Sequence, residues 1–585
     1  METTDPRFDV VDLLLQQGKL PPDQAARARQ LQARSHRPPH LVIIDHNLAS
    51  EEDTYRALAS TLSMEFVELA GFPFPAGLLD RVPVRTMLHH RVIPVAEIDG
   101  GLKLAFGEPP RQAELNNLRL LLGNLQIKSA LTTPSGIRAV IKQHFGLGAD
   151  TIQRLRDDQT LGDGGREIVF DVAASDGDTA MDATIGRFVD QLLTEALRLQ
   201  ATDIHIEPYF HHVQLRYRID GVLEAVPVPR GLREVYAALV SRFKIMAGLN
   251  IAEKRVPHDG RITTKSGDDD YDLRVSVIPT KHGEAICLRI LGRRSLSLEL
   301  KELGLEPGQV ALMEELTRLP QGLVLITGPT GSGKTTTLYA ALNQAGDGRR
   351  KIITIEDPVE YQLEGTLQIQ TRDEVGLSFA TGLRSILRHD PDIVLIGEIR
   401  DPQTAEIAVR AAQTGHLVFS TLHTNDSVSA ITRLLDMQVD AFLIGASLVC
   451  SVAQRLARRI CRHCLTPAPA LPDALRDEMA ATLRIDPSEV RTFEGRGCLE
   501  CGQNGARGRV AIYEFFVMTD DVADLLGATV KTAELRQAAR AHGWRSLREE
   551  GWAKVQQGLI AVPELQRLTR RLVQPQLIRS EFGPG

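Results

Sequence analysis

Residues 328–335 read GPTGSGKT and satisfy G-x-x-x-x-G-K-[ST], between an apolar run, GLVLIT (322–327), and a helical pattern, TTLYAAL (336–342). Glycines in such a turn let backbone N–H groups point inward around phosphate oxygens, and the following helix adds the partial positive charge of its N-terminus. Gly328, Pro329, Thr330, Gly331, Ser332, Gly333, Lys334, Thr335 and Thr336 are therefore the expected nucleotide contacts. Lys334 would neutralise the β and γ phosphates of ATP, and the Thr335 hydroxyl would hold Mg²⁺. A cradle binds a nucleotide without hydrolysing it, so a metal-organising acid and a water-activating group must arrive from neighbouring strand ends. Three apolar runs supply candidates: PDIVLIGEIRDP (391–402) brings Glu398, KIITIEDPVEY (351–361) brings Glu356 beside Asp357, and HLVFSTLHTND (416–426) brings His423. Ligands of open α/β sheets sit at the C-terminal strand ends, so Lys334, Glu356, Glu398 and His423 are expected at one edge. That set suits in-line attack of water on the γ phosphate, catalysed by positioning and charge stabilisation. Residue type does not separate the roles of the two glutamates; the reading leans to Glu356 for orienting the water.

CRHC (461–464) and CLEC (498–501) form a second set with chemical capacity. Four thiols could be a redox device, a catalytic metal site or a structural clasp. In a reducing compartment paired CxxC motifs point to metal ligands rather than disulfides. Cys461, Cys464, Cys498 and Cys501 could enclose Zn²⁺ tetrahedrally, with Zn–S bonds of about 2.3 Å and no open position for water. The 33 residues between the motifs exceed the common ribbon spacings, so unliganded reduced thiols are the alternative. Cys287 in AICLRI and Cys450 in SLVCSV have apolar neighbours and are expected in the core.

These groups need elements to hold them. A chain of 585 residues is too long for one core and is expected to form about three or four domains. A net charge of -7 carries no basic excess, so no nucleic-acid partner is expected. No apolar run approaches the ~18 residues that span a bilayer, and METTDPRFDV lacks the basic and apolar regions of a signal peptide, which points to the cytoplasm. LLLQQGKLPPDQAARAR (13–29) resembles LVIIDHNLASEEDTYRA (41–57), predicting a pair of helical hairpins. Strand-like runs such as VIPVAEIDGGLKLAFG complete a small α/β module, and Gly- and Asp-rich text over 146–180 reads as a linker. Residues 181–201 turn helical, with Ile185, Val189, Leu192 and Leu193 on one face, and alternating strands follow in a second, α+β domain. After 293–309 the strand–turn–helix pattern of a parallel sheet takes over.

TGPTGSGKTTTLY, TIEDPVE, LRHDPDIVLIGEIRD and AAQTGHLVFSTLHTND, in this order and spacing, resemble the Walker A, Asp box, Walker B and His box of the ATPases that drive type II secretion and type IV pilus assembly. The resemblance runs from about residue 181 to about 570. It implies a RecA-like P-loop ATPase domain over 307–585 with a zinc-binding tetracysteine insertion at about 455–515. A smaller α+β, PAS-like subdomain over 181–295 would precede it, joined by a hinge at 296–306, with an N-terminal α/β docking domain over 1–145. ATDIHIEP, LRYRIDGVL, IAEKRVPHDGRI and YDLRVSVIPTKHGEAICLRIL resemble the family's N-terminal ATPase subdomain, whose arginines contact phosphates; the matching positions are Arg261 in DGRI and Arg274 in DLRVS. The family forms homo-hexameric rings on the cytoplasmic face of an inner-membrane platform, so membrane contact would be indirect, through a partner.

The N-terminal repeat occupies the position of a cyclic-di-GMP-binding domain found in some members, which carries Arg-Leu-Gly-type starts. DVVDLLLQQGKL and RPPHLVIIDHNL lack them, so docking to a platform protein is expected rather than cyclic-di-GMP sensing. The resulting expectation is an ATP-hydrolysing motor for pseudopilus assembly in type II secretion. The alternatives are a type IV pilus extension ATPase, a non-hydrolysing nucleotide-responsive scaffold, and, against its acidic charge, a DNA translocase.

Overall fold

A computed structural model describes residues 9–35, 37–149, 151, 180–229, 231–266, 269–292, 299–527 and 530–569. Most of the expected linker (152–179) and the start of the expected hinge (296–298) lie outside the described residues. The chain divides into two compact units, residues 1–263 with 273–290, and residues 264–272 with 291–585.

In the first unit the expected helical hairpins form: Val10–Gln16 with Pro22–Ser35, and Pro39–Asp45 with Glu51–Thr61. Ser50 starts the last of these by accepting from the Asp53 N–H at 3.0 Å, a side-chain cap that satisfies one orphan donor of the first turn. Leu14, Ile43, Tyr55 and Leu58 close a small core between the hairpins. A three-stranded sheet follows, in the order β1 (Val92–Ile98), β2 (Gly101–Phe106), β3 (Gln126–Leu131). The α+β part opens with the helix Ala180–Arg198, on which Ile185, Val189, Leu192 and Leu193 are all buried as their spacing predicts. Lys142 of the N-terminal module pairs with Glu195 of this helix.

The six strands of that part are β4 (Asp203–Pro208), β5 (Val213–Ile219), β6 (Val222–Val226), β7 (His258–Ser266), β8 (Asp269–Thr280) and β9 (Gly283–Gly292). Their order is β6-β5-β4-β9-β8-β7. Beneath them the helix Tyr236–Met246 carries Lys244, whose side chain is 1% exposed and pairs with Glu284 of β9 at 2.5 Å. Lys244 Nζ also donates to the Glu253 carbonyl at 2.6 Å.

The second unit is built on β10 (Gly322–Thr327), β11 (Ile352–Glu356), β12 (Thr366–Gln370), β13 (Ile393–Ile396), β14 (Leu417–Leu422) and β15 (Leu448–Ile460). A short pair, β16 (Leu465–Pro467) and β17 (Phe493–Gly495), is followed by β18 (Ala506–Val517). The main sheet runs β12-β11-β13-β14-β10-β15-β18, parallel from β12 to β15 and closed by antiparallel β18. Helices cover both faces, so the central strands are buried on both sides and read as continuous apolar runs, as GLVLIT and IVLI do. One face packs Leu383, Val409 and Ile431, and the other packs Met313, Leu338 and Tyr339. Among the described residues no helix is long and apolar enough to cross a membrane.

The Lys244–Glu284 pair yields a stability prediction. Lys244→Ala strands a buried carboxylate without its counter-charge, a loss of about 3–5 kcal/mol. Urea or thermal unfolding followed by circular dichroism checks it; an unchanged midpoint would contradict the pairing.

Candidate nucleotide site and tetracysteine centre

Parallel pairing of β11, β13, β14 and β10 as sheet neighbours brings their C-terminal ends to one edge. The loop 328–333 leaves β10 there and passes into the helix Lys334–Ala345. Gly333 caps this helix in the left-handed region (φ 87°), and a Cβ on Gly328 would lie 2.6 Å from both the Gln454 carbonyl and Ser332 Oγ. Neither position tolerates a side chain without rearrangement. Ser332 Oγ is buried without a protein partner, as suits a loop whose donors serve a bound phosphate. Lys334 lies across the loop, its Nζ donating to the carbonyls of Gly328 (2.9 Å) and Pro329 (3.1 Å). Burial holds the Lys334 ammonium below the ordinary lysine value; Glu398 opposes that shift and Arg455 adds to it. Thr335 is half-buried in the first turn of the same helix. These residues fit a triphosphate with Mg²⁺, which when bound supplies charge neutralisation at the β and γ oxygens.

The two glutamates have different surroundings. Glu398, just past β13, pairs with Arg400 and lies 3.4 Å from His423 Nε2. Arg400 reaches on to Asp357 at 3.6 Å. Glu356 is 4% exposed and accepts from Tyr339 OH, Thr354 Oγ1 and Gln368 Nε2. The structure thus groups Lys334, Glu398 and His423, while Glu356 shares their edge with its carboxylate engaged inside the domain. Sequence reasoning passed over Arg400, Gln454 and Arg455. Arg400 was visible as a cation two residues from an edge carboxylate; the other two lie on β15, where no local pattern marks them.

In the first unit Arg261 and Arg274 line one cleft of about 580 Å³, together with Asp259, Ser276, Cys287 and Arg289. Arg289 Nε donates to the buried Asp203 at 3.0 Å. Cys287 corrects an expectation: it is half-buried in this cleft, because Ile286 and Leu288 face the core and the alternation of β9 turns Cys287 the other way. Cys450 is buried in β15 as expected.

Cys461 directly follows β15, and Cys498 and Cys501 precede β18, so all four cysteines cluster at the end of the β15–β18 hairpin. The long spacing between the motifs is taken up by the helix Asp473–Leu483 and by the pairing of β16 with β17, which brings Leu465 opposite Gly495. The four Sγ atoms lie within 4.8 Å of one another. Cys461–Cys498, Cys464–Cys501 and Cys498–Cys501 are separated by 3.8, 3.9 and 3.7 Å. A tetrahedron with Zn–S bonds of about 2.3 Å has edges of about 3.8 Å, so the set fits zinc with no ligand position left for chemistry. N–H groups of Cys498 and Gly505 donate to Cys501 Sγ at 3.2 and 3.3 Å, satisfying a sulfur that carries charge when metallated.

The sequence profile described as "Type II/IV secretion system protein" matches residues 178–567, well over half of the chain. The chain belongs to this family. Among type II/IV secretion system relatives, "Type II secretion system protein HxcR" of Pseudomonas aeruginosa is 48% identical over 67% of this chain and 79% of its own length. "Type II secretion system protein E" of Xanthomonas campestris pv. campestris is 37% identical over 97% of this chain and 100% of its own length. "Type IV pilus assembly ATPase PilB" of Myxococcus xanthus is 36% identical over 95% and 97%. The family is one of secretion and pilus ATPases, and membership implies ATP and Mg²⁺.

The MshEN domain matches residues 62–151. That match contests the exclusion of cyclic di-GMP, because MshEN is a domain type that binds it. The exclusion rested on stretches within the helical repeat before residue 62, whereas the matched region is chiefly the sheet module and its helices.

Metal analysis tests the fit of the cysteines. About one zinc per chain is expected, falling towards zero in Cys464→Ser, with a lowered thermal midpoint. A metal-free wild-type chain with an unaltered midpoint would show that the thiols fold unliganded.

Proposed function

We propose that this chain is the ATP-hydrolysing motor of a type II secretion apparatus, working as a homo-hexamer at the cytoplasmic face of the inner membrane. The observation that carries the hydrolytic reading is the grouping of Lys334, Glu398 and His423 beside the glycine loop at one sheet edge. The 48% identity to a type II secretion protein supports the secretion branch. The PilB relative at 36% over nearly the whole chain keeps pilus assembly as a second reading.

In this reading the loop N–H groups and Lys334 hold the β and γ phosphates, Thr335 supports Mg²⁺, and Glu398 with His423 serves the attacking water. Releasing the Glu356 carboxylate would break three hydrogen bonds, so its part is to fix the end of β11, reversing the preference drawn from sequence. Arg261 and Arg274 would supply guanidinium forks to phosphate oxygens. Residues 1–145 would dock to an inner-membrane platform protein, residues 181–295 and 307–585 would be the two halves of the motor about a hinge at 296–306, and zinc would brace the tip of the β15–β18 hairpin.

Glu398→Gln is the test. Binding of a fluorescent ATP analogue should stay within about threefold of wild type while turnover falls by about 100-fold or more and secretion stops. Secretion with the variant intact would leave the loop as a structural nucleotide site. Co-purification with a secretion platform protein supports the first branch, and co-purification with a pilus platform protein supports the second.

A further inference from the structure

His423 sits at the head of a loop, His423-Thr424-Asn425-Asp426-Ser427, that is tied down at several points. The Ser427 N–H donates to the buried carboxylate of Glu514 on β18 at 2.8 Å, and its hydroxyl bonds the same oxygen. Arg536 Nη2 donates to Asp426 at 2.9 Å. Arg455 Nη2 donates to the Asn425 carbonyl at 2.8 Å. Of these anchors Arg455 is the one that also meets the phosphate loop: its Nη1 lies 3.2 Å from where a Cβ on Gly328 would stand, and donates to the Gln454 carbonyl at 3.1 Å. The neighbouring residue continues the contact. Gln454 accepts from Thr337 Oγ1 at 2.9 Å, and its Nε2 lies 2.8 Å from the position of a Cβ on Gly333.

We propose that Arg455 is a positioning residue that couples the phosphate loop to the loop carrying His423, so that filling the cradle orders that loop. The inference rests on the nucleotide-site reading above. Its physical basis is the shape of the guanidinium: a rigid planar fork presents Nη1 and Nη2 to the carbonyls of Gln454 and Asn425, on two separate segments, at a spacing and angle that a compact, freely rotating ammonium does not hold. Charge works in the same direction. Two half-buried cations, Lys334 and Arg455, share the space around Gly328, and Arg455 holds the lysine further below its ordinary value. Burial also pulls the Arg455 guanidinium below its own usual value, with Glu514 and Asp426 opposing. A polyanion in the cradle relieves that mutual repulsion and so strengthens the arrangement seen here, in which the fork holds both carbonyls. The path runs from the Gly328 backbone, beside which the guanidinium lies, to the Asn425 carbonyl and so to His423.

Arg455→Lys keeps the charge and loses the fork, and Arg455→Gln loses both. Amide hydrogen exchange over residues 423–429 is measured with and without MgADP, beside steady-state ATP turnover. In the wild-type chain MgADP should slow exchange in this loop. In Arg455→Lys the slowing should disappear although MgADP binds within about threefold of wild type, and kcat should fall by about 10- to 100-fold with KM little changed. Arg455→Gln should show the same loss of slowing with weaker binding; unchanged thermal midpoints establish that both variants fold. The proposal is overturned if loop exchange in Arg455→Lys still slows with MgADP, if its kcat stays within about twofold of wild type, or if the loss is confined to KM. A wild-type chain that hydrolyses no ATP would overturn the proposed function instead, and the exchange comparison would still decide the role of Arg455.

Discussion

Parallel hydrogen bonding between β10 and its neighbours is the constraint on which the nucleotide site depends. Gly322 to Thr327 pairs residue by residue with Leu417 to Leu422, and β13 and β11 continue the same direction. Because these strands run the same way, each chemically capable residue placed just past an apolar run reaches the same edge. Helices on both faces then exclude water from the strands, which explains why Val, Ile and Leu predominate in them. The polar groups of the site gather where these strands end, in the loops past β10, β13 and β14 and at Glu356, the last residue of β11.

Within that frame, burial differentiates residues that look alike. Glu356 and Glu398 occupy similar strand ends, yet one accepts three hydrogen bonds inside the domain and the other stands between an arginine and a histidine. A carboxylate saturated by neutral donors is held in place and braces the structure, whereas one beside ionisable groups can change partners as charge develops. Arg400 provides such a change: it reaches both Glu398 and Asp357, so the edge carries a charge network rather than isolated acids.

Much of this was legible in the sequence. The glycine loop, the apolar runs leading to Glu398 and His423 and each CxxC pair follow from local pattern, since each needs only a fixed spacing within one stretch of chain, and the repeat of 13–29 in 41–57 marked the two helical hairpins. What escaped depends on pairings between distant segments. Cys287 looked like a core residue because its neighbours are apolar, but only the sheet shows which face of β9 is covered. The engagement of Glu356 required Tyr339 and Gln368, which lie on a different helix and a different strand. The 33 residues between the CxxC motifs gave no sign that β16 and β17 would pair and close the gap. Arg455 is one of several arginines in RLARR, and nothing local sets it apart from Arg458 or Arg459.

β15 is unbroken from the residues that touch the glycine loop to the residue before Cys461. Paired with β18 except for a register shift between Arg458 and Ile460, it runs from the main sheet to the cysteine cluster. From Arg455 to Cys461 it spans about 20 Å at the usual rise of an extended strand. Ala457 and Ile460 are buried along the way, the Arg458 N–H donates to Glu564 at 3.0 Å and the Ile460 N–H to the Leu559 carbonyl at 2.9 Å, so the cysteine cluster is held to the glycine loop through the C-terminal helices as well as through the strand, and displacing one would mean displacing the helices with it.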